Sequence, residues 1–234
     1  MTRRRWIADE VAGNHAALTG AHADHLIRVL RARVGQEFDV VANGTLRRGQ
    51  IFQIGDHCVD FELGPEILAA TALNLTLLLA IFKFDRMEWA IEKCTELGVS
   101  RFVPVIARRT DAHLASAAIK RAERWRRITA QASEQSRRSA VPEIASPMKL
   151  NDAVVIAAGL RVVLSEAEEK TRLPDLLAAQ VVEAALAIGP EGGWTEDELK
   201  LFQQSGWIPA SLGPTILRAE TAAIAAAAII ISHI

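Results

Sequence analysis

Between Leu73 and Phe82 the chain runs almost without interruption through apolar residues, and a helical pattern follows at once. A strand that is apolar at consecutive rather than alternate positions needs cover on both faces, which places it inside a mainly parallel sheet flanked by helices. The next residues agree. Asp85-Arg-Met-Glu88 has the spacing of a capping box, and Met87, Ala90, Ile91, Cys94 and Leu97 recur at helical intervals until Gly98 ends the run. Further strands are expected at Phe102–Ile106, Arg161–Ser165, Ala184–Ile188 and Trp207–Leu212. Helices are expected at about Ser116–Arg138, Asn151–Ala158 and Thr195–Ser205, with a final one from about Ile216. Repeated strand–helix units of this kind make an α/β domain.

The residues ahead of this region follow another rule. From Trp6 to about Leu68 the pattern is short: Glu37–Val41, Gly49–Ile54 and Cys58–Leu63 read as strands, Asn43-Gly44 marks a hairpin, and one helix is expected at about Ala21–Arg31. This is the signature of a small, mostly β module such as a barrel, and Gly64-Pro65 opens a plausible linker. With 234 residues the chain has room for two domains, expected at residues 1–70 and 71–234.

Charge narrows the function classes. The net charge is −1, yet residues 101–140 carry ten Lys/Arg against three Asp/Glu, and residues 141–234 carry six against twelve. A basic segment inside a near-neutral protein suits a polyanionic partner, although a solvated helix face gives the same count. The two cysteines, Cys58 and Cys94, have no metal-like or redox-like spacing, and the six histidines form no ligand-spaced cluster, so no metal is expected. The basic N-terminus lacks the apolar run of a signal peptide, and the longest apolar stretch, Thr221–Ile234, is 14 residues, too short to span a bilayer. A cytoplasmic protein is expected.

Two loops carry the chemistry. Ile188-Gly-Pro-Glu-Gly-Gly-Trp-Thr195 leaves an apolar strand and enters a helix; its three glycines allow backbone groups to approach a ligand closely. The spacing is not that of a dinucleotide fingerprint or a P-loop, and a tight strand-to-helix turn is the plain alternative. Some twenty residues on, Ser211-Leu-Gly-Pro-Thr-Ile-Leu-Arg-Ala-Glu-Thr-Ala222 repeats the strand end, Gly-Pro loop and helix start. Two such loops at the carboxyl edge of a sheet can form one cleft. There Ile188, Leu212, Ile216 and Leu217 would sandwich a flat base. Arg218 then needs an anionic partner, for which Glu220 or a substrate is available. Glu134 and Arg138 have i,i+4 spacing and can form a surface ion pair, and Lys93 and Glu96 lie off the apolar stripe of their helix.

The loop pair resembles the cofactor site of the SPOUT methyltransferases, whose C-terminal chain is tied into a trefoil knot. The whole chain is similar to the RsmE family within that class, the 16S rRNA uridine N3-methyltransferases. The matching segments are His25–Arg31, Val34-Gly35, Arg86–Val99, Gln131–Arg138, Val141–Ile144 and the two loops. Phe84, where many relatives have Gly, and Ala107-Arg-Arg-Thr110, a loose version of a segment near the substrate side, depart from the pattern.

The resemblance implies an α/β, trefoil-knotted SPOUT methyltransferase domain behind a PUA-like RNA-binding β-barrel. It implies S-adenosylmethionine as cofactor, 16S rRNA or the small ribosomal subunit as partner, and a homodimer, to which the apolar terminal helix would contribute. Arg218 and Glu220 are then the catalytic candidates. Leu164, Ile188, Gly189, Pro190, Glu191, Gly192, Gly193, Leu212, Gly213, Ile216, Leu217, Arg218 and Thr221 are the candidates for cofactor binding. Arg3, Arg28, Arg31, Lys93, Gln135, Arg137 and Arg138 are the candidates for RNA contact. A different target atom, ribose 2′-oxygen or guanine, and a non-catalytic RNA-binding assembly factor are the rival readings.

Overall fold

Two compact units, Met1–Thr71 and Ala72–Ile234, make up the computed structural model, which describes residues 5–67, 73–138, 140–177 and 181–233. In the first unit, β1 (Arg5–Ile7), β2 (Glu10–Ala12), β3 (His15–Thr19), β4 (Glu37–Ala42), β5 (Thr45–Ile54) and β6 (Cys58–Glu66) form one sheet in the order β1-β4-β5-β6-β3-β2. All pairs are antiparallel except β1 with β4. The order is that of an open sheet, with β1 and β2 as its ends. The β4–β5 hairpin turns at Asn43-Gly44 with positive φ at both residues (50° and 79°), the conformation that a two-residue primed turn requires. Trp6, Leu18, Leu26, Ile51, Val59 and Phe61 fill this unit's core.

The helix expected at Ala21–Arg31 is shorter and changes pitch. Helix α1 spans Gly20–Asp24, a wider turn continues over His25–Val29, and Leu30 N bonds back to His25 O. Arg31, with φ of 50°, adopts a left-handed conformation that ends it.

The second unit is a parallel sheet of β7 (Asn74–Ala80), β8 (Arg101–Ile106), β9 (Glu143–Ile144), β10 (Met148–Lys149), β11 (Leu160–Leu164), β12 (Glu183–Ile188) and β13 (Ile208–Ala210). Its order is β10-β8-β7-β12-β11-β13, with β9 paired to β8. Strand β7 earns its apolar sequence: Leu75, Leu77 and Leu79 face one buried layer and Leu78 and Ala80 the other. Helices α2 (Phe84–Leu97), α3 (Ala112–Ser136), α4 (Leu150–Ala153), α5 (Glu196–Gln204) and α6 (Ala219–Ile231) complete the layers. Although β12 follows β11 in the chain, it lies between β7 and β11, so the loops leaving β11, β12 and β13 emerge as neighbours at one sheet edge.

Several boundaries differ from expectation: α3 begins at Ala112 rather than Ser116, and Gly64-Pro65 lies inside β6 rather than opening a linker. Asp85 does not cap α2: Lys83 holds that position without a side-chain cap, and Glu88 is drawn off by Arg121 and Arg124 of α3. Helix α4 stops at Ala153 and is only four residues long, short of the expected Ala158. The last helix begins at Ala219 rather than Ile216, because Gly213 (φ 136°) and the residues up to Arg218 form a loop.

Candidate functional site

Helix α5 starts at a complete capping box, in which the Thr195 side chain accepts from Glu198 N and the Glu198 carboxylate accepts from Thr195 N at 2.8 Å. This fixes where the preceding loop, Gly189–Trp194, leaves β12. Gly193 has φ of 68°, and a Cβ on Gly189 would lie 3.3 Å from the Trp194 indole nitrogen and 3.4 Å from the Gly193 backbone, so the loop closes on itself only because both are glycines. Glu191 Oε1 accepts from Lys83 N, at the N-cap of α2, at 3.4 Å.

The second loop, Ser211–Arg218, packs beside the first, and the two enclose a pocket of about 430 Å³. Leu164, Ile188, Gly189, Pro190, Glu191, Gly192, Gly193, Leu212, Gly213, Ile216, Leu217 and Arg218 all line it. Thr221 is exposed on α6 and is not part of the lining. The volume falls in the range of small-molecule sites, roughly 300–1,000 Å³. The walls combine apolar side chains with loop backbone. Trp194 lines the pocket, and its buried indole N–H has no partner among the described residues.

Sequence reasoning missed several lining residues. Ser165, Glu166 and Ala167 come from the loop after β11, Arg109 from the turn after β8. The β11 loop is held by Glu168, whose Oε1 accepts from Lys170 N at 2.8 Å and Thr171 N at 2.9 Å; these bonds keep its carboxyl below the usual range. Its position directly after an expected strand end was the available signal.

The expected partnership of Arg218 with Glu220 is not formed. Glu220 is buried and accepts from Arg86 Nη1 of α2 at 2.7 Å, while Arg218 is exposed at the pocket and precedes the first turn of α6. Two positions separate what the two residues do: Arg218, the N-cap, lines the pocket, and Glu220, in the first turn of α6, is buried in the core.

Residues 69–231 match the family model of the RNA methyltransferase domain. The ribosomal RNA small subunit methyltransferase E of Synechocystis sp. is 35% identical over 214 residues, covering 88% of this chain and 69% of that protein. The same-named protein of Mycobacterium bovis is 33% identical over 92% of this chain and 85% of its own. The chain belongs to the ribosomal RNA small subunit methyltransferase E family. The crystal structure of a family member from Neisseria gonorrhoeae, bound to S-adenosylmethionine, superposes with a TM-score of 0.67 at 29% identity, over 97% of this chain and 96% of that one.

The residues expected to meet RNA have varied surroundings. Arg3 lies outside the described residues. Arg28 is exposed, with its Nε 3.7 Å from Asp24, and Arg31 is exposed at the left-handed turn. Lys93 sits between Glu92 and Glu96, at 2.7 and 2.8 Å, and their hydrogen bonds raise its pKa. Gln135 is exposed, and Arg137 ends α3 in a left-handed conformation. Arg138 turns inward rather than pairing with Glu134. Its guanidinium donates to the carbonyls of Thr95, Val99 and Gly98, and burial lowers its pKa. Among the described residues no helix is long and apolar enough to cross a membrane, and no group of side chains is suited to hold a metal ion.

Proposed function

We propose that this chain methylates N3 of a uridine in the 16S rRNA of the small ribosomal subunit, using S-adenosylmethionine held in the pocket between the Gly189–Gly193 and Ser211–Arg218 loops. The observation that carries this reading is the meeting of the two loops in one adenosine-sized cleft, in a chain of the methyltransferase E family. The pocket suits the cofactor. Leu164, Ile188, Leu212, Ile216 and Leu217 offer apolar faces for a base, the loop backbone offers donors and acceptors for its edge, and the Trp194 N–H is unspent.

When bound, the cofactor supplies an electrophilic methyl group. The protein's contribution is alignment and electrostatics. Fixing donor and acceptor in line is worth effective molarities of roughly 10⁵ M or more. Uridine N3 loses a proton on methylation, and negative charge develops on the base. Arg218 stands at the pocket beside the N-terminus of α6, where its charge and the helix dipole both favour an anion.

The same reading assigns residues 1–70 to a PUA-like RNA-binding module and residues 71–234 to a trefoil-knotted SPOUT domain. The insertion of β12 between β7 and β11 supports the second assignment. A homodimer is supported by α6, which has no charged residue after Glu220 and leaves Ile224, Ile229 and Ile231 half-buried. Free Cys58 and Cys94 agree with a reducing cytoplasm.

Arg218→Ala tests the mechanism. The variant should bind S-adenosylmethionine by titration calorimetry as the wild type does, and lose about 100-fold in kcat on small subunits. A wild-type rate would remove Arg218 from the chemistry. Nucleoside mass spectrometry of small-subunit RNA with and without the protein tests the reaction itself: N3-methyluridine should appear only with it.

A further inference from the structure

The turn Ala107–Thr110 after β8 has no part in the mechanism above, yet it is firmly built. Thr110 Oγ1 accepts from Ala107 N at 3.1 Å and donates to Ile81 O, past the end of β7, at 3.2 Å. Arg108 N donates to Glu198 Oε1 at 2.7 Å, so the buried carboxylate that closes the α5 capping box also ties down this turn. From that mount Arg109 runs along the pocket wall. A Cβ on Gly192 would sit 3.2 Å from the Arg109 Cδ, and Arg109 Nη1 donates to the Gly192 carbonyl. Gly192 therefore makes room for the arginine as well as for the loop.

A guanidinium carries five N–H donors, and here a neutral carbonyl takes one side of it. Among the described residues no carboxylate pairs with Arg109: Glu191 accepts from Lys83, Glu198 from Arg108 and Thr195, and Glu166 makes no ion pair. The side chain is exposed and lines the pocket, whose other charged lining residues are Glu166, Glu191 and Arg218. A full positive charge is thus held in place at the pocket, with donors left for an incoming group.

Resting on the reading of the pocket as the cofactor site of an rRNA methyltransferase, we propose that Arg109 binds a backbone phosphate of the RNA substrate and so positions the target nucleotide against the pocket. The planar fork matches a phosphate in a bidentate manner, and phosphate contacts fix the register of a nucleic acid without reading its sequence. The carbonyl of Gly192 pre-orients the fork, so little side-chain freedom is lost when the phosphate arrives.

Two variants of the full-length protein separate this role from its rivals. Arg109→Gln keeps an N–H donor for the Gly192 carbonyl and removes the charge; Arg109→Lys keeps the charge and loses the fork. With isolated, unmethylated small subunits as substrate, Arg109→Gln should raise KM about tenfold and reduce the slope of log affinity against log salt by about one, with S-adenosylmethionine Kd changed by less than about twofold. Arg109→Lys should retain the salt slope and fall between the two in KM. An unchanged KM and salt slope in Arg109→Gln would overturn the proposal. So would a loss confined to S-adenosylmethionine binding, which would assign the arginine to the cofactor or to bracing its loop. A wild-type protein that binds no S-adenosylmethionine would instead overturn the proposed function, and this inference with it.

Discussion

Glu220 is 5% exposed at its side chain and its partner Arg86 31%, so the pair is a carboxylate taken out of water and held by a cation that still touches it. Oε1 receives the Arg86 bond, and Oε2 is buried without a partner among the described residues. Such a group is costly to leave alone: breaking a buried pair by removing one member costs about 3–5 kcal/mol, whereas replacing both members with apolar residues is often near neutral. Arg86 is partly solvated, so the cost here falls at or below the bottom of that range. Arg86→Met should lower the unfolding free energy in urea by about 2–3 kcal/mol, and the double variant Arg86→Met/Glu220→Met should recover most of the loss. Equal destabilisation by the single and double variants would show that the carboxylate does not depend on its partner. The pair also joins the first turn of α2 to the first turn of α6, immediately after the pocket-lining Arg218, so it anchors the end of the second loop.

Helix α2 shows which features of an element are legible in sequence. Its apolar stripe at Met87, Ala90, Ile91, Cys94 and Leu97 and its stop at Gly98, with φ of 124°, follow from periodicity and glycine chemistry; the first four stripe residues are buried and Leu97 is half-buried. Its start does not, because the expected capping residue Glu88 is claimed by Arg121 and Arg124, more than thirty positions away in the chain. Local pattern carries no trace of such long-range competition. The same holds for Arg138, which by spacing belonged with Glu134 but by fold closes the far end of α2 through three carbonyls. The two loops of the pocket were readable, because Gly, Pro and a following helix start are local signals. Ser165–Ala167 were not, since only the strand order brings them to that edge, and Arg109 was marked only through the resemblance, which set Ala107–Thr110 near the substrate side. Arg138→Ala should therefore act on stability, costing about 1.5–3 kcal/mol for hydrogen bonds made by a charged donor, while small-subunit methylation well below the melting temperature stays at the wild-type rate. A folded, equally stable variant that has lost RNA affinity would return Arg138 to the RNA-contacting set.

Over the whole molecule the division of labour follows from where the pocket's walls come from. Its described lining runs from Arg109 to Ala222, within the unit Ala72–Ile234. The basic segment seen in the sequence is also in the second unit, on α3, but Arg121 and Arg124 are spent on Glu88 and Arg126 on Glu123, which leaves less free charge for RNA than the count suggests. Cofactor affinity should thus belong to the second unit alone, and the first unit should matter for the macromolecular substrate. A ligand that binds only the folded state at a hundred times its Kd adds about 2.7 kcal/mol to stability. A fragment comprising residues 72–234 should gain that amount from S-adenosylmethionine in urea unfolding, with the same Kd as the full chain, and should methylate small subunits at least about tenfold less efficiently for want of the first unit. If the full chain gained stability from the cofactor and the folded fragment gained none, the first unit would have to complete the pocket, and the cleft between the two loops would not be sufficient to hold an adenosine.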